Sequence, residues 1–130
     1  MDISEIYEKQ IQYVQQKFMD IAIHADVVYS ESGIPLKLRL YLIDGSVIYV
    51  FYSVTGKYSY HWERRIIDGT IYRHDNAPHT KWKDIKTFPK HFHDGSDSNG
   101  KESLISEEPL IALDEFLNFA RRKIIGGLGE

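Results

Sequence analysis

The chain has 130 residues, no cysteine and a formal net charge of −3, with 42% of its residues apolar and 13% aromatic. This length holds one domain with its own core. The composition excludes wholesale disorder, and the missing thiols exclude disulfides and thiolate zinc sites. No apolar run approaches the ~18 residues of a membrane span. Asp2, Glu5 and Glu8 stand where a signal peptide carries basic residues, so a reducing cytoplasm is the expected compartment.

Residues 1–24 read as a helix. Ile3, Tyr7, Ile11, Val14, Phe18 and Ile21 recur at spacings of three and four on one stripe, and Asp2 with Glu5 makes a capping-box-like start. Residues 26–75 read as strands. Asp26 to Ser30 suggests an edge strand. Leu36, Leu38, Leu40 and Leu42 alternate with Lys37, Arg39 and Tyr41, which predicts a buried leucine face. Asp44-Gly45, Thr55-Gly56 and Asp68-Gly69 then separate the runs 47–54, 57–65 and 70–75, as turns separate the strands of a meander.

If Asp68-Gly69 closes a two-residue hairpin, Glu63 faces His74 and Arg65 faces Tyr72. One face then collects His61, Glu63, Arg65, Tyr72 and His74, and the core face collects Tyr58, Tyr60, Trp62, Ile66 and Ile71. Residues 76–106 show no period and read as a loop. Trp82, Phe88 and Phe92 anchor its first part, whereas 94–103 reads as a flexible tip. A helix is predicted over 107–125, with the stripe Leu110, Leu113, Leu117, Ala120, basic residues 121–123 at its negative end, and Gly126-Gly127 to stop it. The expected fold is α+β: residues 1–130 as a single domain, an antiparallel β-meander of four to five strands with the N-terminal and C-terminal helices packed on one face.

Charge is uneven along the chain. From Lys57 to His93 there are eight basic and four acidic residues, +4, which leaves −7 on the remainder. The same stretch holds five of the six histidines. A basic, aromatic, His-rich segment suits an anionic substrate. Imidazoles move protons near neutral pH, one accepting from an attacking hydroxyl and another donating to the leaving group, while arginine stabilises developing negative charge. RNA carries its own nucleophile, the 2′-hydroxyl. His61, His79 and at least one of His91 and His93 are expected to line one cleft with Arg73. Trp82, Phe88 or Tyr72 would stack a base, and Lys81 and Lys83 would strengthen binding. His91 and His93 also have a metal-ligand spacing, with Asp75 or Asp94 as an oxygen ligand. No H-E-x-x-H or cysteine signature accompanies them, so the expectation is chemistry without metal or cofactor that persists in chelator. A plainer reading of Asp75-Asn76-Ala77-Pro78 is a turn in which Asp75 only holds backbone.

The stretches Y-S-Y-H-W (58–62), R-H-D-N-A-P-H (73–79), T-F-P-K-H-F-H (87–93) and S-E-E-P (106–109), in that order, resemble the TumE-like family, small bacterial and archaeal toxin components of toxin–antitoxin modules. The resemblance spans most of the chain. It implies that Tyr60, His61, Arg73, Asp75, Asn76, Pro78, His79, Phe88, Pro89, His91 and His93 occupy motif positions. We assign catalysis to His61, Arg73, Asp75, His79, His91 and His93, and substrate binding to Tyr60, Asn76, Lys81, Trp82 and Lys83. Thr80 stands where members often carry a second histidine, and His74 replaces an aromatic residue before Asp-Asn, which moves weight away from His74. The implied partner is an antitoxin from the same operon, expected to be of helix-turn-helix type. RNA as target and a homodimer are further expectations. The alternatives are a non-enzymatic binding module gripping its partner through the basic loop, and a metal-binding protein built on His61, His79, His91 and His93.

Overall fold

A computed structural model describes residues 2–128 of the chain. Helix α1 spans Ile3–Lys17 and is capped by Asp2, whose carboxylate accepts the Glu5 amide at 2.8 Å; such a cap is worth about 1 kcal/mol. Seven strands follow: β1 Ala22–Tyr29, β2 Pro35–Leu42, β3 Val47–Tyr52, β4 Tyr58–Arg64, β5 Thr70–Asp75, β6 His91–Gly95 and β7 Gly100–Glu102. They form one antiparallel sheet in sequential order, a pure meander. A short helix, α2 (Arg65–Asp68), joins β4 to β5, a 3-10 turn covers Thr80–Trp82, and helix α3 (Pro109–Leu128) closes the fold. Among the described residues no helix is long and apolar enough to cross a membrane.

Alternation along the strands divides the sheet into a covered and an open face. Leu38, Leu40, Leu42, Ile48, Val50, Tyr60 and Trp62 are buried with Tyr7 and Val14 of α1 and Leu113, Phe116 and Leu117 of α3. Trp62 has no exposed surface, and its Nε1 donates to Ser46 Oγ at 2.8 Å, so burying the indole leaves no orphan donor. Gln10 is equally buried; its amide donates to Tyr60 Oη and to the Pro109 carbonyl, tying α1 to the start of α3.

The α+β class and the two helices stand as expected, but the strand count is seven rather than four to five. The extra pair, β6 and β7, lies within 76–106, where the sequence shows no period and predicts a loop. There the residues facing the open side are His91 and His93 rather than apolar ones, so no hydrophobic period marks the strand. The tip 94–103 is likewise a closed hairpin: Asp94 N–H donates to the Asn99 carbonyl at 3.0 Å, and the Asn99 side chain returns to the Asp94 carbonyl at 2.8 Å.

Several boundaries also move. The α1 stripe ends at Lys17, and Phe18 and Ile21 reach the core from the turn before β1, which starts at Ala22 rather than 26. Helix α3 continues through Gly126 and Gly127 instead of stopping there. Leu36 is 44% exposed, unlike the other three leucines. The β2–β3 pairing ends at Leu38, two residues from Leu36, and there the Tyr7 hydroxyl takes over, donating to the Leu36 carbonyl at 3.2 Å and accepting the Tyr52 amide at 3.0 Å.

Candidate functional site

The β4–β5 register decides which side chains share the open face. Trp62 pairs with Tyr72, His61 with Arg73 and Ser59 with Asp75. This differs by three residues from a two-residue hairpin, because Arg65–Asp68 coil into a helical turn capped by Gly69 at φ 79°. An odd shift reverses the faces. Tyr72 and His74 therefore join Tyr60 and Trp62 on the core side, where His74 stacks on Phe92 with ring centroids 4.3 Å apart. Burial, and secondarily Lys90, push the His74 imidazole down to about 4. Arg73 and Asp75 join His61 on the open side, and β6 adds His93 beside Arg73 and His91 beside Asp75.

Asp75 is the centre of the cluster and is 5% exposed. Its Oδ2 accepts Arg73 Nε at 2.8 Å and its Oδ1 accepts the Ala77 amide at 2.9 Å. Asp75 thus holds backbone, as the plain turn reading has it, and also holds Arg73. His91 Nε2 lies 3.2 Å from Oδ1 and His93 Nε2 3.6 Å from Oδ2. Burial works to raise the Asp75 carboxyl, yet the His93 imidazole, the Ala77 amide, Arg73 and His91 together hold it well below the usual carboxylate range.

The other ring nitrogens are fixed by backbone. His91 Nδ1 contacts the Pro89 carbonyl at 2.8 Å, and His93 Nδ1 contacts the Asp97 carbonyl at 2.9 Å. A carbonyl oxygen only accepts, so both Nδ1 atoms carry hydrogens. Trp82 lies parallel to His91 and edge-on to His93, roofing the pair. Asp75, His91 and His93 each offer one ligand atom, all within 4.8 Å of one another, a grouping able to hold a metal ion.

His61 connects to the same cluster by a longer route. Its Nε2 lies 3.2 Å from Glu63, Glu63 accepts Arg65, and Arg65 reaches Asp97, whose carbonyl holds His93. Burial lowers the His61 pKa, with Arg73 adding to the effect and Glu63 opposing it. Since Glu63 only accepts, the hydrogen of neutral His61 sits on Nε2. Its Nδ1 is buried without a partner.

From this cluster the open face extends across the sheet. Tyr49 pairs with His61 and Arg39 with Tyr49. Lys37 Nζ sits 4.3 Å from the Tyr49 ring centroid, and Phe51 is 39% exposed. None of these four is a site residue in the sequence reading, where Lys37 and Arg39 appear only as the polar side of the leucine strand. The alternation of Val47–Tyr52 could have found Tyr49 and Phe51, since it places them together on one face with Val47 and leaves Ile48, Val50 and Tyr52 on the other.

The remaining assigned residues fall elsewhere. Tyr60 is fully buried on the core face and cannot line this site, a correction that follows from the parity of β4. Asn76 bridges the Tyr58 amide and the Gly56 carbonyl, which engages both ends of its side-chain amide in holding the neighbouring turn. His79, Lys81 and Lys83 are exposed around the 3-10 turn, and among the described residues no side-chain hydrogen bond or ion pair joins His79 to the cluster. Tyr72, proposed for base stacking, packs in the core, whereas Phe88 is 37% exposed.

The family model described as Toxin TumE matches residues 7–124, nearly the whole chain, and the protein belongs to that family. No curated protein matches the chain, and no solved structure does.

Proposed function

Taking that family membership as premise, we propose that this protein is the toxin component of a toxin–antitoxin module and acts on RNA laid across the open face of the sheet. The observation that carries the reading is the cross-strand row Tyr49–His61–Arg73–His93, one residue from each of four strands. It runs from an aromatic and cationic surface into a histidine cluster. Half-buried Tyr49 and exposed Phe51 offer base-stacking platforms, and Lys37, Arg39 and Arg73 offer charge for phosphates. His61, kept neutral by burial, accepts the 2′-hydroxyl proton as that oxygen bonds to phosphorus, Arg73 stabilises the phosphorane charge, and the P–O5′ bond breaks with the 5′-oxygen taking a proton from water. Asp75 is a positioning residue for Arg73. His79, Lys81 and Lys83 contact substrate from the rim. An antitoxin from the same operon silences the protein.

Growth arrest on expression, paired with cleavage of an RNA by the purified protein, tests this. Wild type should arrest growth and cleave RNA, and 2′-deoxy substitution at the cut nucleotide should block cleavage. Toxicity retained in the His61→Ala/Arg73→Ala double variant would overturn the reading. The burial of His91 beneath Trp82 favours a second one, in which the sheet face grips its target without chemistry. Growth arrest with intact RNA would select it.

A further inference from the structure

We propose that Asp75, His91 and His93 bind one divalent first-row transition-metal ion through the two histidine Nε2 atoms and the Asp75 carboxylate. Backbone carbonyls fix where the imidazole hydrogens are. Each Nδ1 donates to a backbone carbonyl, that of Pro89 for His91 and that of Asp97 for His93. In the neutral rings both Nε2 atoms therefore present lone pairs, and both lie within 3.6 Å of the Asp75 carboxylate. With both rings neutral, three acceptors converge, and the donors on them are Arg73 and the Ala77 amide, both at Asp75. His91 is completely buried, and its Nε2 has no hydrogen-bond partner. Such an arrangement is costly unless a cation occupies its centre.

The supports around the three groups match what metal ligands need. Ligating histidines characteristically donate the second ring N–H to a carbonyl or carboxylate, which fixes tautomer and orientation, and ligating carboxylates are themselves hydrogen-bonded. All three residues meet this condition here, since Arg73 and the Ala77 amide hold Asp75. Metal–nitrogen and metal–oxygen bonds of about 2.0–2.2 Å place neighbouring ligand atoms roughly 3.3 Å apart in a tetrahedral site. His91 lies 3.2 Å from Asp75 Oδ1 and His93 3.6 Å from Oδ2, near that value, and one ligand atom from each of the three residues lies within 4.8 Å of the others. Two imidazoles and one carboxylate suit zinc, iron or cobalt rather than calcium or magnesium, and leave coordination positions for water. This proposal departs from the metal-free expectation for H-F-H, and the features behind it are two backbone carbonyls and a carboxylate from another strand.

The inference is independent of RNA, since proton transfer at His61 needs no metal, and its test reads binding alone. Metal-stripped full-length protein is titrated with Co²⁺, followed by its visible d–d absorption, and then with Zn²⁺. One Co²⁺ per chain, displaced by Zn²⁺, is the expected result. Asp75→Asn and His93→Gln should each weaken binding on the order of 100-fold, beyond the ~10–100-fold typical of outer-shell partners. His24→Ala, at an exposed histidine on β1, should leave it unchanged. Should the site variants fail to fold, imidazole ¹⁵N shifts of wild type still decide: Zn²⁺ must move Nε2 of His91 and His93 but not of His24. No stoichiometric binding by wild type at ~100 μM metal, a very weak affinity on the usual scale, would overturn the proposal. So would equal loss in His24→Ala, or a shift at His24 instead.

Discussion

The Trp82 indole lies parallel to the His91 imidazole, centroids 5.6 Å apart, and rests its far edge on Gly100 of β7. A β-carbon on Gly100 would overlap the six-membered ring of that indole, and the backbone there is not in the left-handed region. Gly100 is thus required by the roof over the histidines, not by its own backbone. Gly100→Ala is expected to displace Trp82 and cost about 1–3 kcal/mol, as overpacking does. Urea denaturation measures the cost. Trp82 emission should shift red as its ring moves toward water, while Trp62 stays buried. An unchanged midpoint and spectrum would contradict the packing.

Stability should fall on mild acidification. His61 has a folded-state pKa below the ordinary 6.5, so the unfolded chain binds its proton first. Stability is then lost as pH drops below about 6.5, where the unfolded state takes up more protons. His74, lowered to about 4, adds to the same trend. His61→Gln should therefore reduce, without abolishing, the difference in urea midpoint between pH 7.5 and 5.5. An equal difference in the variant would show that His61 is not the group involved.

The same two hairpins show how far the sequence could be read. Asp68-Gly69 marks a turn correctly, but the dipeptide serves equally as a type I′ loop and as the end of a helical turn. Here Asp68 bonds Arg64 and the Thr70 amide while Gly69 caps the turn. Only the tertiary pairing separates the two, and with it goes the choice of face for Tyr72 and His74. The orientation of His91 and His93, side by side with Phe92 opposite, was legible from strand alternation. Asp75 stood among the oxygen ligands considered. The carbonyls of Pro89 and Asp97 carry no residue-type signal, so the tautomers were beyond reach.

The Tyr7 hydroxyl substitutes for a ladder hydrogen bond between β2 and β3, with one donor and one acceptor satisfied by a helix side chain. Tyr7→Phe leaves the Leu36 carbonyl and Tyr52 amide to find water or nothing. We expect a loss of about 1–3 kcal/mol, the cost of unsatisfied buried groups. Chemical denaturation checks it. A change below about 0.5 kcal/mol, the range of neutral surface substitutions, would mean that water replaces the hydroxyl freely.

RNA binding on the open face makes a prediction separable from catalysis. Each lysine or arginine that meets a phosphate contributes counterion release, so Lys37→Gln should flatten the dependence of log affinity on log salt by about 0.7 for single-stranded RNA. Tyr49→Ala should instead leave that slope intact and cost about 1–3 kcal/mol in affinity, the value of one stacked base. The two effects differ because one side chain neutralises charge and the other supplies a ring, although Lys37 sits over Tyr49 in the free protein. Fluorescence anisotropy with a labelled oligoribonucleotide at several salt concentrations measures both. If Lys81→Gln and Lys83→Gln abolish binding while Lys37→Gln and Tyr49→Ala do nothing, the RNA lies on the 3-10 turn and its loop, and the sheet face is not the platform.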